Sequence, residues 1–167
     1  MQFIIKILLI ILLMSGYSYS ASSSDNEPKE STNMLGVTSY DSAVKKINKA
    51  KKLEKKNKQE KAEKLYNEAL VLLFKSYDEN PLNPDTLNYL GFANRKTGKM
   101  KDAETYYLLG LNIDPNHNGI NEYLGELYLA TNRIQLANER LAILKNCNCE
   151  EYNELKELID GTKKSKY

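Results

Sequence analysis

Asn88-Tyr89-Leu90-Gly91 returns as Glu122-Tyr123-Leu124-Gly125, 34 positions further on. The match extends outward from these four residues. With Pro84 as position 1, Leu87, Leu90 and Tyr107 put large residues at positions 4, 7 and 24. Gly91, Gly98, Ala103 and Gly110 put small ones at 8, 15, 20 and 27, and Pro115 stands at 32. In the next unit Leu124, Gly125, Tyr128, Ala137 and Leu141 take positions 7, 8, 11, 20 and 24. A fixed period of this length marks stacked supersecondary units. Each unit reads as two helices. A small residue at position 8 of the first helix faces a small residue at 20 of the second, so their axes approach, and the large residues fill the space around that contact. Pro115 cannot continue a helix and ends the second one. Asp114-Pro115-Asn116-His117 then turns the chain into the next unit.

An earlier unit aligns in the same phase. Ala50 takes the place of Gly91, Asn57 of Gly98, Ala62 of Ala103, Tyr66 of Tyr107 and Ala69 of Gly110. It is degenerate, with Lys49 where a large apolar residue belongs. Its second helix runs on through Val71 to Tyr77 before Asn80-Pro81. The third unit lacks the closing proline and has Cys149 at that position. From Tyr40 to about Ile159 apolar residues recur at spacings of three and four, and no window alternates as a half-buried strand would. Glu150 to Asp160 is one more helix. Tyr152, Leu155 and Ile159 mark its apolar face, and Gly161 stops it.

The spacing over roughly residues 42–150 resembles the tetratricopeptide repeat family. The resemblance implies an all-α fold: a short α-solenoid of about three helix-turn-helix repeats with a C-terminal capping helix that shields the last apolar face. Tyr106, Tyr107 and Tyr123 are expected to bury the seams between repeats. The resemblance also implies a concave partner-binding surface at positions 2, 5, 9, 12 and 13. Carried over, this gives Asp85, Asn88, Phe92, Arg95 and Lys96 from the second repeat, and Gly119, Glu122, Glu126, Leu129 and Ala130 from the third. Asn88 would bond a peptide backbone through its amide, and Phe92 would anchor an apolar group. Arg95 and Lys96 would meet a carboxylate. Glu122 and Glu126, one turn apart, would meet a basic side chain.

The ends read differently. Residues 1–20 have the pattern of a secretory signal peptide. Lys6 precedes the apolar run Ile7–Met14, Gly16 breaks it, and Ser18 and Ser20 stand at −3 and −1 of a cut before Ala21. The run is far shorter than the roughly 20 residues of a spanning helix. Residues 21–39, rich in Ser, Asn, Glu and Thr, read as a disordered leader. Residues 40–160 form the repeat domain, and 161–167 a basic tail. The expected destination is outside the cytoplasm, the periplasm if the source is bacterial. The chain has 12 Tyr, 3 Phe and no Trp, so Tyr, Leu and Ile must fill most of its core.

No catalytic set can be assembled from this composition. The single histidine, His117, falls in a turn, and neither a phosphate-cradling loop nor a metal-binding helix motif occurs. No enzyme activity, cofactor or metal is expected. Cys147-Asn148-Cys149 leaves three readings open: a structural disulfide, a redox pair, or a soft-metal site that lacks its other ligands. The net charge of +2 is segregated. Residues 45–64 carry ten Lys against three Glu, read as a lysine-rich helix whose charge would give at most weak contact with an anionic membrane surface. No aromatic residues interleave with these lysines, so nucleic acid is not the expected partner. The expected function is that of a protein-binding adaptor or scaffold in the cell envelope, holding a peptide or partner protein on the concave surface. Two alternatives stand beside it. One is a structural subunit of an envelope complex, bound through the lysine-rich segment or the convex face. The other is a thiol-redox or copper-handling protein using Cys147 and Cys149.

Overall fold

The computed structural model describes residues 38–163. The expected signal peptide, the leader up to residue 37 and the tail beyond 163 lie outside the described residues. Among those described there are seven α-helices and no strand. They are α1 (Ser39–Glu54), α2 (Gln59–Glu79), α3 (Pro84–Lys96), α4 (Met100–Ile113), α5 (Asn118–Ala130), α6 (Ile134–Leu144) and α7 (Glu150–Ile159). Helices α1/α2, α3/α4 and α5/α6 pair as three successive hairpins, and α7 packs on α5 and α6.

The turn inside each hairpin is built the same way. Asn57, Gly98 and Asn132 occupy position 15 of their units, and each has positive φ, at 56°, 80° and 59°. Glycine and asparagine are the residues that enter this left-handed region at least cost. The residue after each donates its N–H back to the preceding helix: Lys58 to Leu53 O, Lys99 to Asn94 O and Arg133 to Tyr128 O. This closes each helix end with a Schellman-type bond. The lysine-rich stretch 45–64 is therefore not one helix. It spans the end of α1, the Asn57 turn and the start of α2.

Helix starts follow from capping chemistry. The Thr38 hydroxyl accepts from the Asp41 N–H while the Asp41 carboxylate accepts from the Thr38 N–H, a capping box that opens α1 at Ser39. Asn83 caps α3 ahead of Pro84 at the first helical position. His117 caps α5, its Nδ1 accepting from the Ile120 N–H at 3.2 Å.

Close helix packing occurs where the glycines stand, with different partners from those expected. A Cβ on Gly91 would lie 2.4 Å from the Tyr107 ring. The residue seated on position 8 is thus the large one at 24, not the small one at 20. Tyr107 is wholly buried inside its own hairpin, whereas Tyr106 and Tyr123 lie between hairpins, against Phe74 and Phe92. Gly125 meets Leu155 of α7 rather than Leu141 of its own hairpin. The capping helix thereby enters the side of the stack where the first helices lie. Polar ties also cross between hairpins. Ser76 and Thr86 hydroxyls meet at 3.0 Å in the interior. Arg133 grips both carboxylate oxygens of Glu104 at 2.7 and 2.9 Å.

Candidate functional site

The first helices of the hairpins and α7 line a groove of about 650 Å³. Its floor is aromatic, with Phe92 of α3 and Tyr123 of α5 5.0 Å apart between ring centroids. Tyr66 of α2 supports Phe92 edge-on from below at 5.9 Å.

Cations lie on this floor. Lys51 Nζ of α1 sits 4.4 Å from the Phe92 centroid and bonds the Tyr123 hydroxyl at 3.1 Å. An ammonium over a ring face is held by the ring quadrupole. Burial lowers the Lys51 pKa, as do the like charges of Lys96 and Arg95, while Glu122 and Glu126 oppose the shift. Lys96 of α3 pairs with Glu54 of α1 at 3.2 Å, and burial likewise lowers its pKa. Arg95 of α3 has a fully buried side chain, bound to Glu126 of α5 at 2.7 Å and to the Tyr123 carbonyl at 3.5 Å. These contacts join α1, α3 and α5, one helix from each hairpin.

The other side of the groove is acidic. Glu122 and Glu126 of α5 line it together with Glu150, Glu151 and Glu154 of α7. Glu154 pairs with Lys163. Glu122 is only 8% exposed, and its pKa is raised to about 8. Burial is the main cause, followed by the negative charges of Glu126, Glu151 and Glu154. Burial and the neighbouring Glu122 also push the Tyr123 hydroxyl far above its ordinary range.

A second hollow of about 440 Å³ adjoins the first and shares Glu122, Tyr123 and Glu151 with it. Asp85, Asn88, His117 and Gly119 also line it. His117 Nε2 lies 3.1 Å from Asp85 Oδ1. With Nδ1 occupied as an acceptor at the α5 cap, the Nε2–H tautomer donates to Asp85 and satisfies both contacts. Asn88 is 6% exposed, and its Oδ1 has no hydrogen-bond partner among the described residues.

Of the residues expected on the binding face, Phe92, Lys96, Glu122 and Glu126 line the groove, and Asn88 and Glu122 line the adjoining hollow. Asp85 and Gly119 line the hollow too, while Arg95, Leu129 and the exposed Ala130 line neither. Arg95 turns inward, because Tyr123 and Glu126 of the next hairpin close over it. It braces the stack and does not face a partner. Leu129 packs, partly buried, against the second core cluster and does not line the groove. Lys51, Glu54 and Lys55 were missed, although their signal was present. With Ala50 at position 8, they occupy positions 9, 12 and 13 of the first unit. The α7 carboxylates follow no repeat phase and had no comparable signal. Cys147 and Cys149 form a disulfide in the α6–α7 connection, with Cα atoms 5.2 Å apart.

No family model matches the chain. A TPR repeat-containing protein of Pseudomonas aeruginosa is 38% identical over 61 residues, 36% of this chain. The match spans a tenth of that relative's length. Among solved structures, the first TPR domain of human RPAP3 is 21% identical, with a TM-score of 0.47 over 75% of this chain and 98% of that one. The Yersinia enterocolitica type III secretion translocator chaperone SycD, solved with a peptide of the translocator YopD, is 18% identical, with a TM-score of 0.45 over 77% and 92%.

Proposed function

For this chain of tetratricopeptide repeats, we propose that the groove between the first helices and α7 holds an extended peptide or a partner segment, so that the protein works as an adaptor or scaffold by binding and not by catalysis. The observation that carries this reading is the groove itself, a polar-walled hollow with an aromatic floor of Phe92 and Tyr123. Stacked repeats create extended concave surfaces of this kind. Apolar floors with a few fixed polar groups are what peptide-sized ligands occupy. Export to the cell envelope belongs to the same reading and is supported by the signal-like pattern before Ala21.

Site-specific photocrosslinking in the native host tests it. A photoreactive residue at Gln59 or Glu150, both exposed on the groove lining, should capture a discrete partner. The same group at Thr105 or Asn138, exposed on α4 and α6, should not. A second reading, a structural subunit gripped by its outer face, is favoured by the exposed Val71 and Phe74 of α2 and Leu108 and Leu109 of α4. Capture from Thr105 alone would select that reading and remove the first. Sequencing of the mature N-terminus should begin at Ala21, and an intact Met1 would refute export by cleavage.

A further inference from the structure

The acidic side of the groove contains two acceptors that the protein itself does not satisfy. Glu122 stands in the interior of α5, more than nine-tenths buried, with neither a hydrogen bond nor an ion pair among the described residues. Asn88 Oδ1 of α3 is buried and also lacks a donor. Both side chains line the same hollow, with Glu151 of α7 beside them. Buried acceptors are nearly always paired, because an unpaired one forfeits its hydration without return. Asn88 Oδ1 is such a group, and the Glu122 carboxyl oxygens open onto the same hollow, where one donor can reach both.

Nearby charges define what that donor must be. Glu126 is bound by Arg95, Glu54 by Lys96 and Glu154 by Lys163. Lys51 bonds the Tyr123 hydroxyl and lies on the aromatic floor. What remains around the hollow is Glu122 and Glu151, with Asp85 on the His117 imidazole and Asp114 accepting from the Asn116 N–H. Glu150 and Glu151 also favour the N-terminus of α7, but Glu122 has no such structural role. A neutral peptide backbone would supply hydrogen bonds and no charge. An ammonium or guanidinium supplies both, and a guanidinium offers donors enough for a carboxylate and an amide oxygen together.

We infer that Glu122, Asn88 and Glu151 form a cation subsite that seats a lysine or arginine side chain of the partner peptide. This rests on the groove reading above and assigns the partner's chemistry. The charges acting on Glu122 are Lys51 from α1, Glu126 from α5, and Glu151 and Glu154 from α7, with Asp85, Asp114 and the Tyr123 hydroxyl sharing its hollow. Burial first, and then the charges of Glu126, Glu151 and Glu154, keep its carboxyl protonated near neutral pH, while Lys51 opposes them. An incoming cation favours the carboxylate, so the Glu122 proton leaves to buffer as the side chain seats.

The test uses the full chain and an array of random twelve-residue peptides, capped at both ends. Captured peptides should be enriched in Lys and Arg. The best one, measured by calorimetry at pH 7 in phosphate and in Tris, should release close to one proton per complex. Glu122→Gln keeps the shape, and should weaken binding about tenfold and abolish the proton release. Glu151→Gln should weaken binding less. Capture without Lys or Arg preference, with the peptide crosslinking at Glu150 and not at Thr105, would overturn the cation subsite and leave the groove reading standing. No capture at all, or equal crosslinking at both positions, would overturn both. Unchanged affinity and proton release in a folded Glu122→Gln variant would also refute the subsite.

Discussion

The two sides of the groove use charge in opposite ways. On α1 and α3 every buried cation has an internal role: Lys96 on Glu54, Arg95 on Glu126, Lys51 on the rings of Phe92 and Tyr123. Each of these contacts joins helices from different hairpins. On α5 and α7 the carboxylates outnumber their partners, and Glu122 is buried without one. Buried charge is retained at tolerable cost only when it is paired. The first side is therefore fully committed to holding the stack together. The second is where an incoming ligand can still lower the free energy. Three short repeats have few inter-hairpin contacts, and these internal ion pairs add to them.

The strongest way to break this contrast is to remove a partner from the committed side. Glu126→Leu would leave the Arg95 guanidinium buried without its carboxylate. Loss of one member of a buried pair costs about 3–5 kcal/mol. The urea midpoint should fall accordingly, and Arg95→Met combined with Glu126→Leu should recover most of the loss. A single variant as stable as wild type would mean that the pair is no brace.

The opposite result is expected from Glu122→Gln on the other side. The Glu122 pKa is about 8 in the fold, against 4.5 as its ordinary value. Between those two pH values the folded chain holds a proton that the unfolded chain has released. Stability contributed by this group is therefore full below pH 4.5 and is lost as pH rises to about 8. One pKa unit corresponds to about 1.4 kcal/mol, so wild type should lose at least about that much relative to Glu122→Gln between pH 5 and pH 9. Thermal melts across this range read the difference. Parallel curves for the two proteins would remove Glu122 from its buried setting.

This asymmetry shows what the sequence reveals and what it hides. The 34-residue period marked the hairpins and the small residues at position 15, Gly98 and Asn57, though the turn at Asn57 was hidden inside a stretch read as one helix. These depend on backbone geometry and helix approach, which repeat from unit to unit. Arg95 was misassigned because repeat position specifies a direction and not what closes over it. Its burial comes from Tyr123 and Glu126 in the following unit. Leu155 seating on Gly125 was equally hidden, because α7 follows no repeat phase and its placement is decided by tertiary packing. Lys51 was legible at position 9 of the degenerate first unit, but its lysine neighbours made it look like part of a solvated run.

A smaller effect sharpens the contrast further. Lys96→Met removes the cation from Glu54 while keeping the aliphatic stem in place. Glu54 retains some access to water, so the loss should be about 1 kcal/mol, at the upper end for a partly exposed pair. Chemical denaturation would measure it, and a gain in stability would show that the burial of Lys96 costs more than its pairing returns.

The smallest expected change in stability is the most informative about the acidic side. Glu151 is partly exposed at the first turn of α7, so Glu151→Gln should alter stability by less than about 0.5 kcal/mol. Its charge nevertheless acts on Glu122, helping to raise that pKa. Removing it should lower the Glu122 midpoint, read from the side-chain carboxyl carbon shift by NMR, while leaving the melting temperature nearly unchanged. Stability and titration would then separate: the substitution would perturb the titration of the acidic side without weakening the stack. If the midpoint stayed fixed, the α7 carboxylate would not act on α5, and the acidic side would be a set of independent groups. If the melting temperature fell by as much as with Glu126→Leu, the acidic side would be as structurally committed as the cationic one, and the contrast between them would be lost.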